Sequence, residues 1–219
     1  PAPPSRPEAV REPSETPVIA DLDNDQVNEI IVPFVDGDLR IYKAPPTSIA
    51  PYIEYTGFLP LDTLANIGNG NSVYATAGYI NDDTDLDLVV TTGEGKVFTY
   101  LSSRNAGSLS YAPFSPIISA PVSCAATIFT NNGPGNKRPM MAICRVNGMI
   151  DVFGFDNLPP GWEAVDSKDA GEFIDSSALW LDIDDDGSRE LVVTYENNRS
   201  AVYQTLANGS LGPARFVSK

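Results

Sequence analysis

Apolar residues in this chain come in short runs broken by turn residues. The same succession of runs and turns returns about every 50 residues, a spacing that marks a repeat architecture. In the first unit, Pro17 to Ala20 precedes an acidic loop and Glu29 to Val35 follows it. Asp36-Gly37 then reverses the chain, and Asp38 to Lys43 returns before a looser stretch from Tyr52 to Phe58. The second unit repeats this with Val73 to Ala77, Leu88 to Thr92, a turn at Gly93 to Gly95, Lys96 to Leu101, and Ser108 to Phe114. Asn147-Gly148 and Asn208-Gly209 mark equivalent reversals in a third and a fourth unit. β-Branched and aromatic runs between Asp-Gly and Asn-Gly turns are the pattern of consecutive hairpins, and no segment carries a helical period of useful length.

Four strands per unit and four units predict an all-β fold, a β-propeller of four four-stranded blades at approximately 17–66, 67–119, 120–171 and 172–219. The inner strands are expected at Val18 to Asp21, Val73 to Tyr79, Ala125 to Thr130 and Ala178 to Asp182. The least regular, outermost strands are expected near Tyr52, Tyr111, Trp162 and Phe216. Four blades close as a compact disc or form half of a larger ring, and a half-ring leaves unpaired edges that another chain would cover. Residues 1–16 are proline-rich and polar and read as an extended linker or arm; they have no starting Met and no apolar core of a signal peptide.

The loop after each inner strand carries the chemistry. Oxygen-bearing side chains stand at positions 1, 3, 5 and 9, with a backbone carbonyl from position 7, a spacing that lets them converge on one hard cation such as Ca2+. The first loop offers Asp21, Asp23, Asp25, the Val27 carbonyl and Glu29; the last offers Asp182, Asp184, Asp186, the Ser188 carbonyl and Glu190. These are the two expected sites. The second loop opens on Tyr79 in place of a carboxylate and keeps Asn81, Asp83, the Asp85 carbonyl and Asp87, a weaker third set. In the third unit Asn131 begins a loop without acids, and Lys137, Arg138 and Pro139 stand where a cation and its strand would sit, so that unit is expected to be metal-free. Solvated acidic turns would look similar, but bringing three carboxylates together is repulsive without a cation, which couples ion binding to folding.

These loops, each followed by an apolar strand, resemble the FG-GAP or VCBS repeats of integrin alpha-chain propellers and of many secreted proteins, whose pattern is Asp-x-Asp/Asn-x-Asp-Gly-x-x-Asp-Leu-x-Val. The resemblance spans residues 16 to 219. Glu29 and Glu190 replace the family's closing Asp, and only Gly187 keeps its glycine, with Gln26 and Thr84 in the other loops. The resemblance implies calcium-stapled blades, seven or eight in the usual ring, and is silent about the ligand.

Charge and composition then narrow the function. The net charge of −15 provides no basic footprint for nucleic acid, and no stretch is long and apolar enough to span a membrane. The absence of His removes Ser-His-Asp and Cys-His catalysis and His-ligated zinc. Carboxylate pairs remain, but most clustered acids already belong to the metal loops, so an enzyme is not expected. Calcium loops of this kind suit millimolar extracellular calcium. Asn198 and Asn208 begin glycosylation sequons, usable in a secreted chain. Cys124 and Cys144 read either as a disulfide on adjacent strands, contributing roughly 3 kcal/mol, or as two buried thiols.

The resulting expectation is a secreted or cell-surface, non-catalytic binding or adhesion module, lectin-like in one form, that recognises a protein or glycan. Tyr52, Tyr55, Phe58, Tyr111, Phe114 and Trp162 are candidate contacts, though aromatics also fill the space between blades. The alternatives are a structural subunit that self-associates through blade edges or its N-terminal arm, and an accessory domain of a polysaccharide-degrading enzyme.

Overall fold

The computed structural model describes residues 12–43, 53–54, 66–81, 83–103, 108–111, 118, 120–130, 138–157, 159–174 and 176–217. These form four antiparallel sheets, each with its four strands in sequence order, in a propeller-like all-β fold. Sheet I contains β1 (Val18–Ala20), β2 (Glu29–Pro33), β3 (Leu39–Lys43) and β4 (Ile53–Glu54). Sheet II contains β5 (Val73–Gly78), β6 (Asp87–Thr92), β7 (Val97–Ser103) and β8 (Ser108–Tyr111). Sheet III contains β9 (Thr127–Thr130), β10 (Pro139–Cys144), β11 (Met149–Asn157) and β12 (Pro160–Asp169). Sheet IV contains β13 (Leu179–Leu181), β14 (Glu190–Thr194), β15 (Ser200–Thr205) and β16 (Leu211–Val217). The turns between second and third strands place Gly37, Gly95 and Gly148 at positive φ, which their lack of a Cβ permits.

The first strands neighbour one another in chain order, β1 beside β5, β5 beside β9 and β9 beside β13. Strand side chains alternate between faces, so each sheet has one face toward the preceding sheet and one toward the following sheet. Ala20, Leu22, Ile31 and Ile41 pack on Val73, Leu88 and Val90 between sheets I and II. Ile80, Val89 and Val97 meet Met141, Ile143, Phe153 and Phe155 between II and III. Phe129, Met140, Ala142 and Val152 meet Trp180, Leu191, Val193 and Tyr203 between III and IV. Among the described residues no buried cluster joins sheet IV to sheet I. The second strands report the same thing: β6 and β10 are buried along their whole length, whereas β2 and β14 are only partly covered.

Several expectations are corrected. The outer strand of sheet III is no irregular edge: β12 is the longest strand, with a register shift opposite Val152/Phe153. Trp162 on it is buried, donates its indole N–H to Thr99 Oγ1 at 2.8 Å and meets the Phe155 ring edge-on at 5.2 Å, so it fills the gap between sheets and offers no contact surface. Tyr52, Tyr55, Phe58 and Phe114 lie outside the described residues, as does the third loop at 131–137. Residues 12–15 do not hang free. Pro13 bridges to Phe34, Ser14 donates to the Val73 carbonyl, and Glu15 accepts from the Ala125 N–H at 3.2 Å and the Ser177 hydroxyl at 2.8 Å. The last residues of the arm thus touch all four units.

The two cysteines are free and buried. Cys144 ends β10, but Cys124 lies before β9 begins, and both join the core between sheets III and IV. The adjacent Cys124 thiol and burial push the Cys144 thiol well up from its ordinary value. Asn198 and Asn208 are both exposed in hairpin turns.

Candidate metal centre

Each acidic loop joins a first strand to a second strand, and its own side chains hold its shape. In the first loop Asp21 accepts N–H bonds from Asp25 at 3.0 Å and from Gln26 at 2.9 Å, and Asp25 accepts from Val27 at 2.9 Å. In the last loop Asp182 accepts from Gly187 at 3.1 Å and Asp186 from Ser188 at 2.7 Å. Asn24 and Asp185 share a positive φ at position 4, and Gln26 and Gly187 share one at position 6. Gln26 therefore takes the backbone conformation that glycine adopts more easily, which is why the departure from the repeat pattern leaves the turn intact.

The carboxylate at position 9 has a structural task that the spacing alone did not reveal. In all three described loops it accepts the N–H of position 2: Glu29 from Leu22 at 2.9 Å, Asp87 from Ile80 at 2.9 Å, and Glu190 from Ile183 at 3.0 Å. One oxygen is consumed in closing the loop. What happens to the second oxygen differs from loop to loop.

In the second loop, Asp87 Oδ1 accepts the Ser102 N–H at 2.8 Å, so both oxygens face backbone donors. Burial pushes this carboxyl up to about 6, partly offset by the Ser102 and Ile80 N–H groups. Asn81 donates to Asp83 at 2.6 Å, and buried Asp85 accepts from Asn24 of the first loop at 2.9 Å. Tyr79 is exposed. The described residues of this loop bring no three carboxylates together.

In the first loop, Asp21, Asp23 and Glu29 do converge, with oxygens within 4.8 Å of one another. Lys43 reaches into the cluster. Its Nζ lies 2.5 Å from Asp23 Oδ2, 2.6 Å from Asp25 Oδ2 and 3.2 Å from Glu29 Oε1. Burial alone would lower the Lys43 pKa, but its bonds to Asp23, Asp25 and Glu29 outweigh it and hold the ammonium charged well above the usual lysine range. Desolvation raises Glu29, while the Lys43 bond holds Asp25 below its ordinary value. A charge is therefore already supplied where a metal ion would sit, and calcium must displace it.

In the last loop, Asp182, Asp184 and Glu190 converge with the same 4.8 Å limit, and among the described residues no lysine enters. Gln204 holds the register position that Lys43 holds in sheet I, since Tyr42 and Tyr203 pair with Ile30 and Leu191. Asp182 Oδ1 and Glu190 Oε1 are buried without a hydrogen-bond partner, as are Asp23 Oδ1 and Glu29 Oε1 in the first loop, where the Lys43 ammonium 3.2 Å from Glu29 Oε1 supplies the charge instead. Two buried carboxylate oxygens facing no donor are costly unless a cation satisfies them, so this donor set fits a hard oxygen-seeking ion. Asp186 and Ser188, also expected as ligands, stand on the same turn joined by the 2.7 Å bond between them, outside the three converging acids.

Lys43 and Ser102 were invisible to motif spacing, because each acts from the third strand. A signal existed for Lys43: it stands as far after Asp36 as Glu29 stands before it, and the two are cross-strand partners.

No protein-family model matches the chain, and no curated protein does. Among solved structures, the Saccharomyces cerevisiae β-propeller Sqt1 aligns over 92% of this chain with a TM-score of 0.55 and 14% identity. The alignment covers 48% of Sqt1, so this chain spans about half the length of that structure. At that identity the likeness is one of fold.

Proposed function

We propose that the chain is a non-catalytic, calcium-stabilised binding module of the extracellular space or cell surface, of the FG-GAP/VCBS type, built as a four-bladed half-ring. The observation that carries the calcium assignment is the pair of buried, unpartnered oxygens on Asp182 and Glu190 beside Asp184. Calcium bound there neutralises three converging acids and ties β13 to β14, so it acts as a staple that couples ion binding to the folding of sheet IV. The half-ring rests on the uncovered outer faces of sheets I and IV and on the 48% coverage of a known propeller. Such a scaffold presents its turns to a protein or glycan partner. Support for the non-catalytic reading comes from the lack of His and from the use of Glu29, Asp87 and Glu190 in closing the loops.

The test is calorimetric titration of chelator-stripped protein with Ca2+, paired with thermal melts. The expected result is one site of roughly micromolar to millimolar affinity and a calcium-dependent rise in melting temperature. No heat and no change in melting would remove the calcium assignment.

The uncovered faces favour a second reading, an assembly subunit.

A further inference from the structure

At position 2 of each described loop stands an apolar residue, Leu22, Ile80 or Ile183. Leu22 and Ile80 are 0% exposed because the following sheet covers them, whereas Ile183 is 49% exposed. The residue opposite each loop-closing carboxylate tells the same story. Ala20, Gly78 and Leu181 pair with Glu29, Asp87 and Glu190 respectively. A methyl group added at Gly78 would stand 3.2 Å from Ile128 of the next sheet, so that position lies in a closed junction, while Leu181 is 49% exposed. Leu179 beside it is also open.

The other end of the arc mirrors this. Trp180 lies opposite Leu191 and is buried on sheet III, its ring tilted against Phe129 at 4.3 Å between centroids. Its register counterpart in sheet I is Ile19, opposite Ile30, and it is 67% exposed. Ile30, Val32 and Tyr42 on the same face are half-buried. The two ends therefore carry the same kinds of apolar side chain that close every internal junction, and each lacks the neighbour that the repeat supplies elsewhere.

We propose that a second copy of this chain closes the ring, with the outer face of sheet IV packing on the outer face of sheet I of its partner, twice, about a twofold axis. The arc aligns with 48% of the Sqt1 chain, so two such arcs together match about one such chain, and each open face then meets an open face of the other copy. Leu179, Leu181 and Ile183 of one copy then cover Ile19, Ile30 and Tyr42 of the other. This rests on the half-ring proposed above and not on the calcium assignment. A failed calcium titration leaves it standing, and a monomeric protein leaves the calcium loop standing.

Sedimentation equilibrium of the whole chain at about 50 µM, with millimolar calcium, tests it by mass. The expected mass is twice that of the 23.5 kDa chain. Leu181→Glu and Ile19→Arg each place a charge on an exposed position, so the fold survives, which circular dichroism checks; each alone is expected to be monomeric. Mixing the two variants restores a dimer, because one junction keeps Leu181 against Ile19 and the other opposes the introduced carboxylate to the introduced guanidinium. Val146→Glu, at an exposed turn outside both faces, remains dimeric. A wild-type monomer, an assembly of any other size, or a dimer indifferent to both face variants overturns the proposal.

Discussion

Lys43 Nζ, at the end of the third strand, lies 2.5 Å from Asp23 Oδ2 in the loop between the first and second strands, and so puts a covalently tethered cation inside a calcium-type turn. The last loop shares the positive φ of its fourth and sixth positions, and among the described residues no such cation enters it. Two loops that read alike in sequence therefore differ in what neutralises them.

Lys43→Met tests that difference. Removing the ammonium leaves Glu29 only its Leu22 N–H bond and takes the cation from Asp23, which costs about 3 kcal/mol in calcium-free buffer. Millimolar calcium should recover most of it, and calorimetric stoichiometry should rise from one ion to two. Urea denaturation with and without calcium measures both. A variant that loses stability equally in both buffers would show that the first loop takes no ion even when emptied.

Asp184→Asn should lower calcium affinity at least tenfold and abolish most of the calcium-dependent rise in melting temperature. Asp185→Asn should leave both unchanged, because Asn tolerates the positive φ of 59° and this side chain is not among the converging acids. Equal effects from the two substitutions would mean that the register of the loop has been misassigned.

Asp87 gives a pH signature in calcium-free protein. Burial holds its folded pKa at about 6, above the unfolded value of 3.8. Its proton stays on longer in the native state, so this contribution is fully present below about pH 4 and is lost as pH rises through about 6. Asp87→Asn does not titrate. The stability of wild type relative to this variant should therefore fall by up to about 3 kcal/mol between about pH 4 and pH 7. A pH-independent difference would place the carboxyl in its ordinary range.

Cys124 and Cys144 should resist alkylation in the native protein and react with two equivalents of reagent after denaturation without reductant. Burial shields both thiols, and the raised pKa of Cys144 further suppresses its thiolate. Recovery of a bridged peptide instead would show that the pair is oxidised.

The sequence by itself determined the strands, their order and the acidic turns. These depend on local signals: β-branched runs, Asp-Gly and Asn-Gly reversals, and the fixed spacing of Asp182, Asp184 and Glu190. Inner-strand boundaries came within a few residues, Val73–Gly78 against an expected end at Tyr79. Only the tertiary structure decided which loop carboxylates meet a protein donor, because the deciding groups, Lys43 and the Ser102 N–H, arrive from the third strand of the sheet. It likewise decided the fate of Trp162, of Glu15 and of the two cysteines, whose neighbours belong to other strands or other units. Leu22 and Ile183 carry the same apolar signal in the same register position; one is buried and the other open because burial belongs to whatever packs alongside, and among the described residues sheet II covers the first while nothing covers the second.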